Sequence, residues 1–146
     1  MRTRAGAGAT AFVVDAVAAA AFALAAAPAA QADPIRIERS TTVGREVLIR
    51  GFAEFDSHCR LVRAQTITVV EAPAHGKVET RPGEVVIGPN WVGPASCTGT
   101  RLSGVHVYYV PEPGYEGPDH LSLDVGYVRF PTVRAEVAIR VRSARN

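Results

Sequence analysis

The sequence lacks the short motifs that carry the most common cofactor and metal chemistry. It contains no Gly-rich phosphate loop, no Cys-x-x-Cys pair and no His-Glu-x-x-His motif. Ser96, Ser103 and Ser122 are present, but none lies in the context of a hydrolase nucleophile. These absences predict no catalytic residue and no cofactor, and they indicate that the chain is not an enzyme.

Long apolar segments are also missing, with one exception near the start. Residues 16–27 are uncharged, but these 12 residues are fewer than the roughly 20 that a membrane-spanning helix needs. The run follows a basic start and precedes the small residues of Ala30-Gln31-Ala32. This order predicts a secretory signal peptide over residues 1–32, with a helical apolar part and cleavage before Asp33.

The remaining chain, residues 33–146, has the length of a single domain and carries almost no net charge. Without the charged residues of the predicted leader, 14 basic and 13 acidic residues remain. This balance, with the basic residues scattered, gives no electrostatic reason to expect a nucleic acid or an anionic membrane as partner. The protein is expected in the periplasm or outside the cell, without a membrane span after signal cleavage.

Cysteine is scarce, with only Cys59 and Cys97 in the chain. An even number of cysteines in an exported domain favours a disulfide, because the compartment is oxidising. Closing this loop would stabilise the fold by roughly 4 kcal/mol through the entropy of the unfolded chain. The alternative is a catalytic thiol at Cys59 paired with His58, but neighbouring residues on a strand point to opposite faces. A Cys59–Cys97 disulfide is therefore predicted.

Residues 33–146 contain no segment with helical periodicity, and alternation of apolar with polar residues dominates instead. The last segment shows this best, because every second residue from Val133 to Val141 is apolar, and these residues are expected to face the core. Short strands are expected at 35–38, 45–50, 64–70, 77–80, 84–87, 105–110, 121–128 and 133–141. Regular turn signals between them predict an all-β fold, a single antiparallel β-sandwich of about seven to eight strands.

Proline and glycine mark the connections between these strands. Turns at 73–76 and 81–83 are expected to join three strands into a meander of hairpins. These strands are 66–70, 77–80 and 84–87. Residues 88–100 form the longest irregular segment, and a loop of this length is often functional or tied down.

Aromatic residues in and near the loops are the candidates for a binding surface. Phe52 and Phe55 lie in the segment 51–60, which is expected to be a loop, and Trp91 lies in 88–100. Loops at the end of a sandwich commonly carry recognition, and exposed aromatics favour contact with a protein or a glycan. The alternative is that all three rings belong to the core.

Two segments resemble parts of bacterial Ig-like, cadherin-like modules. The first is a strand end, a corner and an alternating strand, Tyr109-Val-Pro111-Glu-Pro-Gly114-Tyr115-Glu-Gly117-Pro-Asp119-His-Leu121-Ser-Leu123-Asp-Val125. The second is the turn Pro73-Ala-His75-Gly76, which precedes the corner in those modules. The resemblance implies an Ig-like sandwich with a binding or structural role in the cell envelope. Its partner would be a protein or a glycan of the envelope.

The corner residues are expected to be structural: Tyr109, Pro111, Gly114, Tyr115, Gly117 and Asp119. The glycines permit positive φ where the chain folds back. The Tyr115 ring is expected to cap the open end of the sandwich while its hydroxyl binds a backbone group. Asp119 is expected to accept N–H bonds within its own turn rather than to act as a general acid.

A periplasmic metal protein is the alternative function. A copper or zinc site would require the fold to gather the four histidines, His58, His75, His106 and His120. No two of them have ligand spacing in the sequence. The acidic stretch of the similar modules is missing, and Glu54 and Asp56 are too few for a hard-cation site. No metal is therefore predicted.

Overall fold

The computed structural model describes residues 33–89 and 94–144, so the predicted leader and Trp91 lie outside the described residues. Strands dominate this part, and Ala95–Cys97 forms a 3-10 turn. The described strands are β1 (Ile35–Thr42), β2 (Val47–Phe52), β3 (Glu54–Phe55), β4 (Leu61–Arg63), β5 (Thr66–Glu71), β6 (Gly76–Val86), β7 (Arg101–Pro111), β8 (Gly117–Gly126) and β9 (Val133–Arg142). The prediction of an all-β fold is confirmed.

The strands form two larger sheets and a short hairpin. One sheet has four strands in the order β1-β9-β8-β5, and the other has three in the order β2-β7-β6. β3 pairs with β4 as a separate hairpin. Neighbouring strands are antiparallel except β1, which runs parallel to β9 with Ile35 opposite Ala135. This arrangement is consistent with a β-sandwich.

The main hydrophobic core receives side chains from both larger sheets, because alternate residues of a strand point to the same side. In β9, Ala135, Val137, Ile139 and Val141 are buried, while the residues between them are exposed. The facing predicted for the last strand is confirmed. We call the buried set the main core: Ile37, Ile49, Phe52, Val107, Tyr109, Leu121, Leu123, Val125, Ala135, Val137, Ile139 and Val141.

β6 runs without interruption over Gly76–Val86, so the turn predicted at 81–83 is wrong. Proline and glycine mark many turns, but β6 is the edge strand of its sheet, where the missing N–H of Pro82 is tolerated. Gly83 leaves space for the ring of His106, whose Nδ1 would lie 2.5 Å from a Cβ at this glycine. The two residues therefore serve strand packing rather than chain reversal.

The predicted meander is also wrong, since β5 and β6 belong to different sheets. β5 pairs with β8 in the four-stranded sheet, and β6 pairs with β7 in the three-stranded sheet. The connection through Pro73 and His75 therefore passes from one sheet to the other. Two later strands begin earlier than predicted. Strands were expected to begin at residues 105 and 121, whereas β7 begins at Arg101 and β8 begins at Gly117.

A second, smaller cluster lies on the other face of the three-stranded sheet. Leu102 alternates along β7 with Val107 and Tyr109 of the main core, so it points to the outer face. It packs there against a buried cluster that we call the second core: Phe55, Ile87 and Cys97. The segment 51–60, predicted as a loop, contains the end of β2 and all of β3. These strands bring Phe55 into the second core.

Candidate functional site

A disulfide joins Cys59 to Cys97, with an S–S distance of 2.07 Å and 5.3 Å between the Cα atoms. Cys59 lies in the turn between β3 and β4, and Cys97 ends the 3-10 turn before β7. Cys97 is fully buried in the second core, and Cys59 packs against that core. The predicted bridge is therefore present, and it ties the β3–β4 hairpin to the chain that leads into β7.

The turn that holds Cys59 is organised by Asp56. Its carboxylate accepts hydrogen bonds from the N–H groups of Arg60 at 3.0 Å and His58 at 2.9 Å, and from Arg60 Nε at 3.0 Å. The Arg60 N–H contributes most to lowering the pKa of Asp56 to about 2, against the opposing effect of desolvation. Cys59 itself has φ 60°, a left-handed backbone conformation that this hydrogen-bonded turn supports.

The structure corrects the expectation of exposed aromatics at Phe52 and Phe55. Both rings are buried, Phe52 in the main core and Phe55 in the second core. The expectation is wrong because these residues belong to β2 and β3, whose side chains face the two cores, instead of to an open loop. Trp91, the third binding candidate, lies outside the described residues.

Glu54 lies between Phe52 and Phe55 in the sequence, and it is buried although it carries a carboxylate. This carboxylate accepts hydrogen bonds from the N–H groups of Val128 at 2.7 Å and Arg129 at 2.8 Å. Such donors offset the cost of removing a charge from water. Glu54 therefore connects the disulfide hairpin to the loop 127–132 between β8 and β9. This contact was not predicted from the sequence. The available signal was an acidic residue, Glu54, directly beside the aromatic Phe55 in the sequence, where burial of the carboxylate would require hydrogen-bond donors.

The loop that Glu54 holds exposes apolar side chains. Val128 is 59% exposed and Phe130 is 41% exposed. The Phe130 ring packs edge-on against Tyr127, with 6.4 Å between the ring centroids. Leu61, which is 39% exposed, lies on β4, the partner strand of β3. Large apolar side chains that remain exposed in one region are typical of interaction sites.

The predicted corner residues come together around Asp119, which is buried near the start of β8. Its Oδ2 accepts hydrogen bonds from the Tyr109 hydroxyl at 2.8 Å and the His75 N–H at 3.0 Å. Its Oδ1 accepts from the N–H groups of Ala74 at 3.0 Å and His120 at 2.9 Å. Asp119 thus bonds chiefly outside its own turn, contrary to expectation, and joins β8 to the turn between β5 and β6.

The hydrogen-bond donors around Asp119 favour the ionised form of its carboxyl group. Burial opposes ionisation of Asp119, but the hydrogen bonds from Tyr109 and from three backbone N–H groups outweigh it and lower the pKa of this carboxyl. Burial raises the pKa of the Tyr109 hydroxyl, and the neighbouring carboxylate raises it further. An ionised Asp119 beside a neutral Tyr109 braces the corner, where Pro111 is the last residue of β7.

Tyr115 closes the corner from the solvent side. Its hydroxyl donates to the Pro118 carbonyl oxygen at 2.6 Å, and its ring stacks on His75 with 4.0 Å between the centroids. Gly114 and Gly117 have φ values of 80° and 139°, which non-glycine residues rarely adopt. A Cβ at Gly117 would lie 2.8 Å from the Tyr115 hydroxyl, so this position requires glycine for space as well.

The outer face of the three-stranded sheet carries a polar network centred on Arg81. Its guanidinium donates to Glu46 through two hydrogen bonds of 2.8 and 2.7 Å and to Glu79 at 2.6 Å. It also lies over the Tyr108 ring, 4.6 Å from the ring centroid. Because these contacts engage the guanidinium and both carboxylates, the network covers the sheet rather than presenting charge to a ligand.

The four histidines do not gather into one site. Each contacts a different neighbour: His58 with Ser57, His75 with Tyr115, His106 with Glu84 and His120 with Glu71. Among the residues that the structure describes, no three potential ligands are close enough to hold a metal ion. No observation therefore favours the copper or zinc alternative.

No protein-family model, no curated protein and no solved structure matches this chain. Within residues 33–89 and 94–144, no helix has the length and apolar character needed to cross a membrane. Function is therefore best inferred from the geometry of the site, because a fold alone does not specify it.

Proposed function

We propose that the protein is an exported, single Ig-like β-sandwich that serves as a non-enzymatic binding or structural module in the cell envelope. The strand order supports the Ig-like assignment. In Ig domains, strands C, F and G share one sheet, and B, E and D share the other. Here β5, β8 and β9 are neighbours in one sheet, and β2, β7 and β6 are neighbours in the other. The Tyr115 hydroxyl bound to backbone beside β8 is a further similarity.

The use of the two buried carboxylates supports a non-enzymatic role. Asp119 accepts four hydrogen bonds, and Glu54 accepts two backbone N–H bonds from a distant loop. A catalytic acid or base needs an oxygen that can reach a substrate proton. Both carboxylates instead face donors within the protein and hold separate parts of the chain together.

The observation that carries the proposed binding role is the apolar loop fixed by Glu54. A loop that exposes Val128 and Phe130 while its backbone is anchored to a buried carboxylate is ordered before any partner arrives. An ordered binding loop loses less conformational freedom on association than a disordered one. The end of the sandwich that contains the disulfide is therefore the proposed binding end.

A sedimentation experiment with isolated cell-envelope fragments tests this role. Protein comprising residues 33–146, which contains both cores and the disulfide, is expected to sediment with the fragments. The Phe130→Ser variant is expected to remain in the supernatant, because it loses the exposed ring. The Leu48→Ser variant removes a similarly exposed side chain from β2, away from this loop in the sequence, and is the matched control. Equal sedimentation of all three proteins would reject the binding end.

Export is tested by expressing the full chain in a bacterial host and sequencing the N-terminus of the processed protein. The expected product begins at Asp33 and resists alkylation at Cys59 and Cys97 until a reductant is added. A product that keeps residues 1–32 and reacts at both thiols would contradict the proposal, since it would indicate a reducing compartment.

A further inference from the structure

The near-neutral net charge of the chain conceals an uneven surface at the disulfide end. Exposed Arg129 lies between Val128 and Phe130 in the chain. Exposed Arg63 follows Leu61 on β4 and lies opposite Glu54, whose carboxylate binds two N–H groups of the 127–132 loop. Glu54 thus links β4, its partner strand, to the 127–132 loop, and we call the exposed residues of these two segments the loop-end surface: Leu61, Arg63, Val128, Arg129 and Phe130.

Three acidic side chains around this end are engaged by arginines, while Asp33, which precedes β1, is exposed. The pairs are Asp56 with Arg60, Glu84 with Arg101 and Asp124 with Arg134. Glu54 is buried and directed at backbone donors. The arginines of the loop-end surface therefore add positive charge next to apolar side chains, and this local pattern does not appear in a count over the whole chain.

We infer that the loop-end surface docks on an anionic lipid bilayer, an inference that rests on the proposed binding role and names its partner. Apolar side chains enter the headgroup boundary of a bilayer, and nearby arginines attract the anionic headgroups. A protein interface requires close shape complementarity, whereas a lipid surface accepts separate apolar side chains from two segments. The loop-end surface has this second character, since Leu61 lies on β4 and Phe130 lies in the 127–132 loop.

A flotation experiment with defined vesicles tests the inference. Protein comprising residues 33–146 is mixed with vesicles of phosphatidylcholine alone or of phosphatidylcholine with phosphatidylglycerol. We expect flotation with the anionic vesicles at low salt, little with the neutral ones, and weaker binding as salt is added. Arg129→Glu is expected to lower the partition coefficient roughly tenfold or more, and Phe130→Ser to lower it by roughly tenfold.

Two control variants carry matched changes elsewhere on the surface. Val70→Ser removes a side chain that is 48% exposed on β5, and Arg142→Glu reverses a charge at the far end of β9. Both are expected to float like the unchanged protein. The intact disulfide and the near-ultraviolet circular dichroism of each variant show that it is folded.

Three results would overturn the inference. The first is no flotation with anionic vesicles at low salt, and the second is equal flotation of Arg129→Glu and the controls. The third is a dimer in light scattering that Phe130→Ser abolishes, without lipid binding, which would assign the surface to a second copy of the chain. The protein could fail to float with vesicles and still sediment with envelope fragments in a way that Phe130→Ser abolishes. In that case the proposed function stands and only the lipid partner is rejected.

Discussion

The main core and the second core are built by different means. The main core collects side chains from five strands of two sheets, and alternation along long strands places each of them. The second core has only three buried members, Phe55, Ile87 and Cys97, and it joins a two-residue strand to a loop. So small a cluster buries little apolar surface, and it therefore depends on ties that the main core does not need.

These ties are one covalent bond and one buried acid. The disulfide fixes Cys97 beside Phe55, and Glu54 binds the loop between β8 and β9. The main core also has a buried acid at its border, Asp119, but there the surrounding strands are already paired along most of their length. The comparison indicates that the proposed binding end can be loosened without unfolding the sandwich.

Removing the disulfide is the strongest way to separate the two cores. We expect the double variant Cys59→Ser with Cys97→Ser to lose up to roughly 4 kcal/mol of unfolding free energy, because the unfolded chain is no longer constrained. Hydrogen exchange followed by mass spectrometry should show faster exchange in β3, in β4 and near Cys97. Exchange in β8 and β9 should change much less.

The reduced form of the unchanged protein is the matched control for this variant. It lacks the same bond but keeps both cysteine side chains, so its exchange pattern should agree with that of the double variant. Equal acceleration of exchange in β8 and β9 would show that both cores unfold as one unit and that the second core is not the less stable of the two.

Changing Asp119 tests the acid at the border of the main core. We expect Asp119→Asn to lower the unfolding free energy by about 2 kcal/mol at neutral pH, since an amide nitrogen would face N–H donors. The pKa of Asp119 is lower in the folded state than in the unfolded state. Its stabilisation is therefore complete above about pH 4 and is lost as the pH falls through the folded pKa. Urea unfolding at a series of pH values measures this.

The pH dependence of the unfolding free energy separates the effect of the Asp119 charge from that of its shape. The difference in unfolding free energy between the unchanged protein and Asp119→Asn should become smaller in acid. Protonation of Asp119 then removes the same charge that the substitution removes. Tyr109→Phe keeps the three backbone donors and should have a smaller effect at neutral pH. A gap that stays constant down to pH values below the folded pKa would indicate that Asp119 acts through shape alone.

Changing Glu54 should have the smallest and most local effect. Glu54→Gln keeps one acceptor oxygen but turns an amide group towards a backbone donor, and we expect a loss of about 1 kcal/mol. Amide exchange of Val128 and Arg129, measured by NMR, should accelerate more than exchange in the main core. Glu136→Gln, on the exposed face of β9, is the control and should alter neither quantity. Unchanged exchange at Val128 would show that Glu54 does not hold this loop.

Alternation along the strands was enough to predict the all-β class and the facing of β9. It failed at β6, because Pro82 and Gly83 have the local character of a turn, while eleven residues of pairing with β7 keep the strand continuous. Local propensity is a weak guide where tertiary pairing opposes it. The cysteine count predicted the disulfide because the chain contains only one possible pair.

The candidate site was harder to predict because its contacts join distant parts of the chain. Glu54 binds Val128 and Arg129, which are 74 and 75 positions later in the sequence. Asp119 binds Ala74 and His75, which are 45 and 44 positions earlier. Nothing in the local sequence specifies such a partner. The segment 51–60 is predicted as a loop, yet β2 continues past Gly51 to Phe52 and β3 contains Phe55.

The parallel pairing of β1 with β9 has a practical consequence for attaching labels. Ile35 lies beside Ala135, close to where β9 leaves the 127–132 loop, so a tag fused just before Asp33 would emerge near the loop-end surface. A tag fused at the other terminus follows the far end of β9, about 30 Å away along a strand of ten residues. Fluorophores, beads and purification handles therefore belong at the carboxyl terminus.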